Sequence, residues 1–130
     1  MKVGITGRQT ILVTEELTAE VFGSGSLPVY ATPGMIALME NTAMNSVQGE
    51  LEEGQGTVGT LIQVEHISAT PVGMRVTCET KLVEVDRKRL VFEVKAFDEK
   101  GLIGQGRHER FVISSEKFLK KAEAKKDENL

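Results

Sequence analysis

Thr32-Pro33-Gly34-Met35-Ile36-Ala37-Leu38-Met39-Glu40-Asn41-Thr42-Ala43-Met44-Asn45-Ser46-Val47 decides the fold. It opens on a threonine suited to cap a helix and a proline suited to the first turn, where a missing N–H leaves no intrahelical acceptor wanting. The spacing predicts a helix from Thr32 to about Gly49. At about 100° per residue, Ile36, Met39, Glu40, Ala43 and Val47 fall on one side. Met35, Ala37, Leu38 and Met44 spread round much of the rest. A helix apolar on nearly every side is a buried one. Glu40 stands out in that setting, because an ionised carboxylate among apolar neighbours is costly unless it is paired or put to use.

A run of strands comes after the helix. Glu52 to Gly56 reads as a turn. Thr57 to Ile67 alternates, with Val58, Thr60, Ile62, Val64 and His66 on one face and Leu61, Gln63 and Glu65 on the other. Ser68 to Met74, with Pro71 and Gly73, is a connection. Arg75 to Asp86 is a long strand whose apolar set moves from Val76, Cys78 and Leu82 to Val83 and Val85, a change of phase that predicts a bulge. Asp86 to Arg89 is a hairpin turn. Leu90 to Phe97 and Leu102 to Ser114 are the next strands, and Ser115 caps a terminal helix to about Lys126, amphipathic through Phe118, Leu119 and Ala122.

Before the helix, Arg8 to Val13 forms a first strand and Leu17 to Phe22 a short helix. Gly23-Ser24-Gly25-Ser26 is a flexible segment that, with Leu27 to Tyr30, makes a lid-like loop. An apolar helix followed by long strands gives an α+β fold, an antiparallel sheet of about five strands wrapped round the helix. A sheet of this kind leaves an edge free to pair with a second copy, so a homodimer is expected, with a tetramer left open. The chain reads as one domain over residues 1–130, with the helix at 115–126 and a frayed tail at 127–130.

Composition excludes several classes. With 40% apolar and 27% charged residues the chain is an ordinary globular one rather than a disordered one. A net charge of −3 leaves no electrostatic footprint for nucleic acid. No apolar run reaches the roughly 18 residues of a membrane span, and Met1 to Thr10 lacks a signal-peptide pattern, so a cytoplasmic location is expected. Cys78 is the single cysteine and alternates with strand residues; it reads as a buried structural thiol. With two histidines and no cysteine pair, no metal site is expected.

Five residues could carry chemistry. Glu40 could serve as a general base or nucleophile. His66, ending the apolar face of its strand, could orient or protonate a substrate or act on Glu40; equally it could be a satisfied core residue. Thr32 could be a cap and nothing more, or could help hold an oxyanion at the helix start. Gly59, inside a strand, marks a bulge or a close approach. Arg110, which shares a strand face with His108 and Gly106, could pair with an acidic neighbour or reach a phosphate. Gly104-Gln105-Gly106 lacks the helix and lysine of a phosphate loop, and Ser24 and Ser26 lie in no nucleophile elbow.

Taken in order along the chain, Tyr30-Ala31-Thr32, Met35 to Glu40, Val58-Gly59-Thr60, His66, Ala69-Thr70-Pro71, Arg89-Leu90, Ile103-Gly104, His108-Glu109-Arg110 and Glu116-Lys117-Phe118 resemble the hotdog-fold thioesterases. The match is to the group that includes the fluoroacetyl-CoA thioesterase. The resemblance implies a hotdog fold and dimers joined sheet edge to sheet edge, with active sites at the interface. It implies hydrolysis of an acyl-CoA with no cofactor, coenzyme A being part of the substrate. The family's catalytic threonine, glutamate and histidine fall on Thr32, Glu40 and His66, and its substrate-site glycine and arginine on Gly59 and Arg110. One segment departs. The fluoroacetyl enzyme has a phenylalanine-bearing lid before the threonine, whereas Gly23 to Pro28 has none, Phe22 and Leu27 being the nearest apolar side chains. The resemblance therefore implies a general acyl-CoA thioesterase without fluoroacetate discrimination. A non-catalytic module that binds acyl-CoA is the alternative, and a hotdog dehydratase finds no matching histidine setting.

Overall fold

Thr32–Gln48 forms a single helix that touches every strand of a five-stranded antiparallel sheet. The computed structural model describes residues 1–126, so the tail expected to fray at 127–130 lies outside the described residues. In chain order come β1 (Thr6–Leu12), a 3₁₀ turn (Glu15–Leu17), α1 (Ala19–Phe22), the long helix α2 (Thr32–Gln48), β2 (Gln55–His66), β3 (Arg75–Asp86), β4 (Arg89–Asp98), β5 (Gly101–Ser114) and α3 (Ser115–Glu123), which ends in a 3₁₀ turn at Ala124–Lys126. The spatial order is β1-β3-β4-β5-β2, so β1 and β2 are the edges. This is the wrapped sheet and central helix of the hotdog fold. No helix among the described residues is long and apolar enough to cross a membrane.

The packing follows from two periodicities. Along β3 and β4, Val76, Cys78, Leu82, Phe92, Val94 and Ala96 alternate inward and are fully buried. Met35, Met39, Ala43 and Val47 of α2 meet them and are equally buried. Each large apolar side chain so removed from water contributes about 1.5–3 kcal/mol, which a helix of this length needs, since it is marginal in isolation. Burial also pushes the Cys78 thiol up to about 11, consistent with a structural role. The phase change in β3 is a bulge: its pairing with β4 slips between Leu82 and Glu84.

Three local expectations are corrected. The stretch Leu17–Phe22 is not one helix, because Thr18 is extended and bridges to Tyr30, leaving a 3₁₀ turn on one side and a single helical turn on the other. Gly23, at φ 78°, closes that turn. Thr32 and Ser115 are first helical residues rather than caps; Ala31 and Ser114 hold the extended cap positions. α3 is amphipathic, as its sequence predicts, and its apolar side is not buried within the chain.

Gly104-Gln105-Gly106 has a packing explanation. A Cβ at Gly104 would lie 2.5 Å from the Met35 sulfur, and one at Gly106 would enter the Gln63 carbonyl oxygen and lie 2.6 Å from Val64 Cα. Gly106→Ala is therefore expected to lower stability by about 3 kcal/mol, because backbone cannot yield as a flexible side chain can. Gly49→Ala, in helical conformation with nothing near the added methyl, is expected to raise it by about 0.5 kcal/mol. Urea denaturation of the two variants beside the parent protein checks both signs.

Candidate active site

The buried stripe of α2 runs through Met35, Leu38, Met39, Thr42, Ala43 and Val47. Glu40 lies at its border with Ile36 and Met44, and its side chain is 41% exposed. The dry setting expected for this carboxylate is thus corrected: the helix period gives the apolar sides, but the sheet covers the row centred on Met39 and Ala43.

The carboxylate is seated against the backbone of β2. A Cβ on Gly59 would lie 2.7 Å from Glu40 Oε2, 3.3 Å from His108 Cε1 and 3.5 Å from Arg110 Nη1. With a Cβ at this position the Glu40 carboxylate would have to move away from β2. Gly59 pairs with Arg110 on β5, and the register then slips, Leu61 pairing with Glu109. Both readings of this glycine hold, bulge and close approach. The bulge also resets the strand's phase. Opposite inward-facing residues of β5 stand Thr57 (on Val112), Gly59 (on Arg110), Ile62 (on His108), Val64 and His66, so the expected uninterrupted face from Val58 to His66 is corrected.

Arg110 is almost fully buried. It donates from Nε to Thr57 Oγ1 (2.8 Å), from Nη2 to the Thr57 carbonyl (2.8 Å) and from Nη1 to His108 Nε2 (3.1 Å). Glu40 Oε2 lies 4.0 Å from Nη1, an ion pair beyond hydrogen-bond length. Burial holds the Arg110 pKa below its ordinary value, and Glu40 opposes the shift. His108, fully buried, stacks on Phe92 with ring centroids 6.1 Å apart. Its Nδ1 is 2.8 Å from the Leu61 carbonyl, which only accepts, so Nδ1 carries the proton and Nε2 is free to accept from Arg110.

A second cluster sits at the start of α2. Thr32 Oγ1 and His66 Nδ1 are 2.8 Å apart. Freed from capping, the threonine hydroxyl engages the imidazole instead. Tyr30 meets the His66 ring edge-on at 6.4 Å, and His66 Nε2 is buried with no hydrogen-bond partner among the described residues. Tyr30, His66, Ile67, Ser68 and Ala69 line a cavity of about 190 Å³. Larger concavities on β1, β3 and β4 are lined mainly by charged residues such as Arg8, Glu79, Lys81 and Lys95, remote from these groups.

The structure therefore brings Glu40, Gly59 and Arg110 together, and Thr32 and His66 together. Among the described residues no hydrogen bond or ion pair joins the two clusters, and roughly 12 Å of helix rise separates Thr32 from Glu40. Sequence reading missed Thr57, whose place beside Arg110 depends on a bulge that alternation does not show. The loop before Thr32 is tied rather than free: Ala19 N–H donates to the Val29 carbonyl, Glu20 N–H to that of Leu27, and Tyr30 N–H to that of Thr70. Phe22 and Leu27 point to solvent, 46% and 62% exposed. Among the described residues no group of His, Cys, Asp and Glu could hold a metal ion.

Comparison with known proteins adds a family. The model of the family described as "Fluoroacetyl-CoA-specific thioesterase" matches residues 13–116. The fluoroacetyl-CoA thioesterase of Streptantibioticus cattleyicolor is 43% identical over 97 residues, spanning 75% of this chain and 70% of that protein. Among solved structures, a variant of the fluoroacetyl-CoA-specific thioesterase in complex with fluoroacetate and CoA is 36% identical, with a TM-score of 0.86 over 91% of this chain and 99% of that one. A Thermus thermophilus protein described as a thioesterase superfamily member is 29% identical, with a TM-score of 0.89 over 96% and 93%.

Burial holds both His66 and His108 below their ordinary value of 6.5. The Ser68 backbone opposes this at His66. At His108, Arg110 reinforces it, while the Leu61 carbonyl, Glu40 and Glu109 oppose it. A native state that resists protonation loses stability as pH falls below that value, because the unfolded chain takes up protons first. Stability is expected to be full above about pH 6.5 and to decline between there and about pH 5, ahead of the carboxylates. Urea midpoints at the two ends of that window check this; equal midpoints would mean that neither imidazole is buried in its neutral form.

Proposed function

The chain belongs to the fluoroacetyl-CoA-specific thioesterase family, and from that premise we propose that it hydrolyses an acyl-CoA thioester to a carboxylate and free coenzyme A. The observation that carries the reading is the half-exposed Glu40 carboxylate, seated on Gly59 beside a buried arginine. Glu40 attacks the thioester carbonyl or activates the water that does so. If Glu40 attacks, the C–S bond breaks as an acyl–glutamyl anhydride forms, and water then cleaves that anhydride to free the carboxylate product and Glu40; if water attacks, its oxygen joins the carbonyl carbon directly as the C–S bond breaks and Glu40 takes its proton. By either route the departing thiolate takes a proton. His66 handles that proton through Nε2; with its Nδ1–H donated to Thr32 Oγ1, which fixes the ring, the threonine O–H is left to donate to the thioester oxygen. The glycine at position 59 lets the substrate approach the backbone, whose N–H groups can face the oxyanion. Arg110 supplies fixed positive charge. Coenzyme A enters as part of the substrate, and this reaction uses no metal or redox cofactor. We place it in the cytoplasm. The absence of lid phenylalanines argues for a general acyl-CoA thioesterase rather than for discrimination of fluoroacetate.

The two clusters argue for a homodimer. β2 is a long edge strand, exposed from Gly59 to Gln63, which is a template for pairing. Antiparallel pairing of two such edges about a point near Ile62 and Gln63 sets Gly59 opposite the partner's His66. Glu40 of one protomer would then work with the partner's Thr32 and the partner's His66.

Glu40→Gln is expected to lower turnover at least about 100-fold, the lower range for a lost general base, measured as thiol release from a panel of short to long acyl-CoAs. Near-normal turnover by the folded variant would remove Glu40 from the mechanism. Binding of the esters without release by the parent protein would turn the reading to a binding module. Mixed dimers test the composite site. Co-expression of Glu40→Gln with His66→Ala chains is expected to restore activity that neither variant has alone, since one site in each mixed dimer keeps both groups. Failure to complement in verified mixed dimers would place Glu40 and His66 in one site of a single chain.

A further inference from the structure

The buried arginine beside Glu40 is itself aimed by a residue that has no part in the proposed bond-breaking steps. A guanidinium presents five N–H donors in a fixed plane. Three are occupied by Thr57 Oγ1, the Thr57 carbonyl and His108 Nε2. Thr57 holds the Nε and Nη2 side of the fork. His108 takes one N–H of Nη1, and the other N–H of Nη1 remains for the side on which Glu40 lies, 4.0 Å away. His108 is placed for this by two constraints from other strands, the Leu61 carbonyl of β2 on its Nδ1 and the Phe92 ring of β4 on its face.

We propose that His108 is a positioning residue for the hydrolysis: neutral, with its proton on Nδ1, it accepts from Arg110 Nη1 and so orients the guanidinium toward the Glu40 carboxylate. The inference rests on the thioesterase reading. An imidazolium could not do this, since its Nε2 would donate against a donor and place one cation on another. The groups that face His108 fit the requirement. Arg110 on β5 disfavours its protonation, as does burial, while the Leu61 carbonyl of β2, Glu40 of α2 and Glu109 of β5 act in the opposite sense; burial outweighs them. From β4 it meets an aromatic ring, which carries no charge.

A purely structural His108 would only fill space against Phe92, and two substitutions separate the possibilities. His108→Phe keeps a ring and removes both nitrogens. His108→Gln restores an acceptor at the reach of Nε2 and a donor for the Leu61 carbonyl. In the full-length protein, His108→Phe is expected to lower kcat about tenfold or more with KM changed less than about twofold, because ground-state binding is untouched. His108→Gln is expected to return kcat to within about threefold of the parent, the charge-assisted hydrogen bond being remade. A folded His108→Phe protein with parental kcat, or a His108→Gln protein as impaired as His108→Phe, would overturn the proposal. Should His108→Phe not fold, the ¹⁵N shifts of the parent's His108 at about neutral pH decide. A bare Nε2 with protonated Nδ1 supports the role, and the Nε2–H tautomer or an imidazolium overturns it. A parent protein that releases no thiol from any ester would instead overturn the hydrolase reading, whichever tautomer is found.

Discussion

Close approach of α2 to the sheet is the constraint on which the rest depends, and it is met by leaving out side chains on the strands. Gly104 of β5 receives the Met35 sulfur, Gly59 of β2 receives the Glu40 carboxylate, and Gly7 of β1 faces the Ser46 Cβ, each at less than 3.0 Å from where a Cβ would stand, with the Thr42 carbonyl at 3.0 Å from that of Gly7. The helix is therefore gripped at three points along its length, on a central strand and on both edges. With that spacing the apolar row from Met35 to Val47 reaches the floor of the sheet and closes the core. The same approach presses Glu40 onto β2, so the carboxylate is positioned by the demand that buries its helix.

That constraint explains which parts of the molecule could be read from sequence. The apolar helix, the long strands after it and the bulge in β3 follow from periodicity, which records the side on which a segment is apolar. Periodicity does not record which neighbour covers that side. Glu40 belongs by angle to the apolar set, yet it sits at the border of the covered row, because the sheet presents its inward residues to Met39 and Ala43 instead. In β2 the slip after Gly59 reverses the alternation, so Thr57 faces inward with Arg110 although the pattern taken from Val58 and Thr60 assigned it outward. Thr32 shows a third limit. Its local sequence suits a cap, but capping and binding His66 are alternatives for one hydroxyl, and the partner is 34 residues away in the chain. The pairing of Glu40 with Gly59 and Arg110 was legible only through the family resemblance, since it joins three elements.

The electrostatics around Arg110 are unequal. At 4 Å an ion pair is worth about 1 kcal/mol in water and about 4 kcal/mol at the effective dielectric of a protein surface, and Glu40 is exposed enough to lie toward the lower figure. Each charge-assisted hydrogen bond to a buried guanidinium contributes about 1.5–3 kcal/mol, and Arg110 makes three. Thr57 and His108 therefore hold the arginine, and Glu40 does not. The guanidinium is a fixed source of positive potential whose place is independent of the carboxylate's state. That arrangement suits a group that must gain and lose negative charge during a reaction, because its surroundings need not reorganise as it does so.

The same inequality accounts for the position of the proposed site at the rim of the sheet. A carboxylate sealed in the core would need a partner of its own and would be unreactive, whereas one fully in water would gain little from the arginine. β2 offers the intermediate case: one face rests on the core, where His108 and Arg110 are dry, while its free edge stays open from Gly59 to Gln63. His66 at the far end of the strand is in the corresponding position, with Nδ1 fixed by Thr32 and Nε2 buried without a hydrogen-bond partner among the described residues. An unpaired buried nitrogen is costly in a finished core. It is consistent with a half-built site, in which a second β2 edge or a bound ester supplies what one chain lacks. On this reading the open edge and the two separated clusters are one feature: each chain carries both kinds of chemistry, but at opposite ends of the strand along which a second copy would pair.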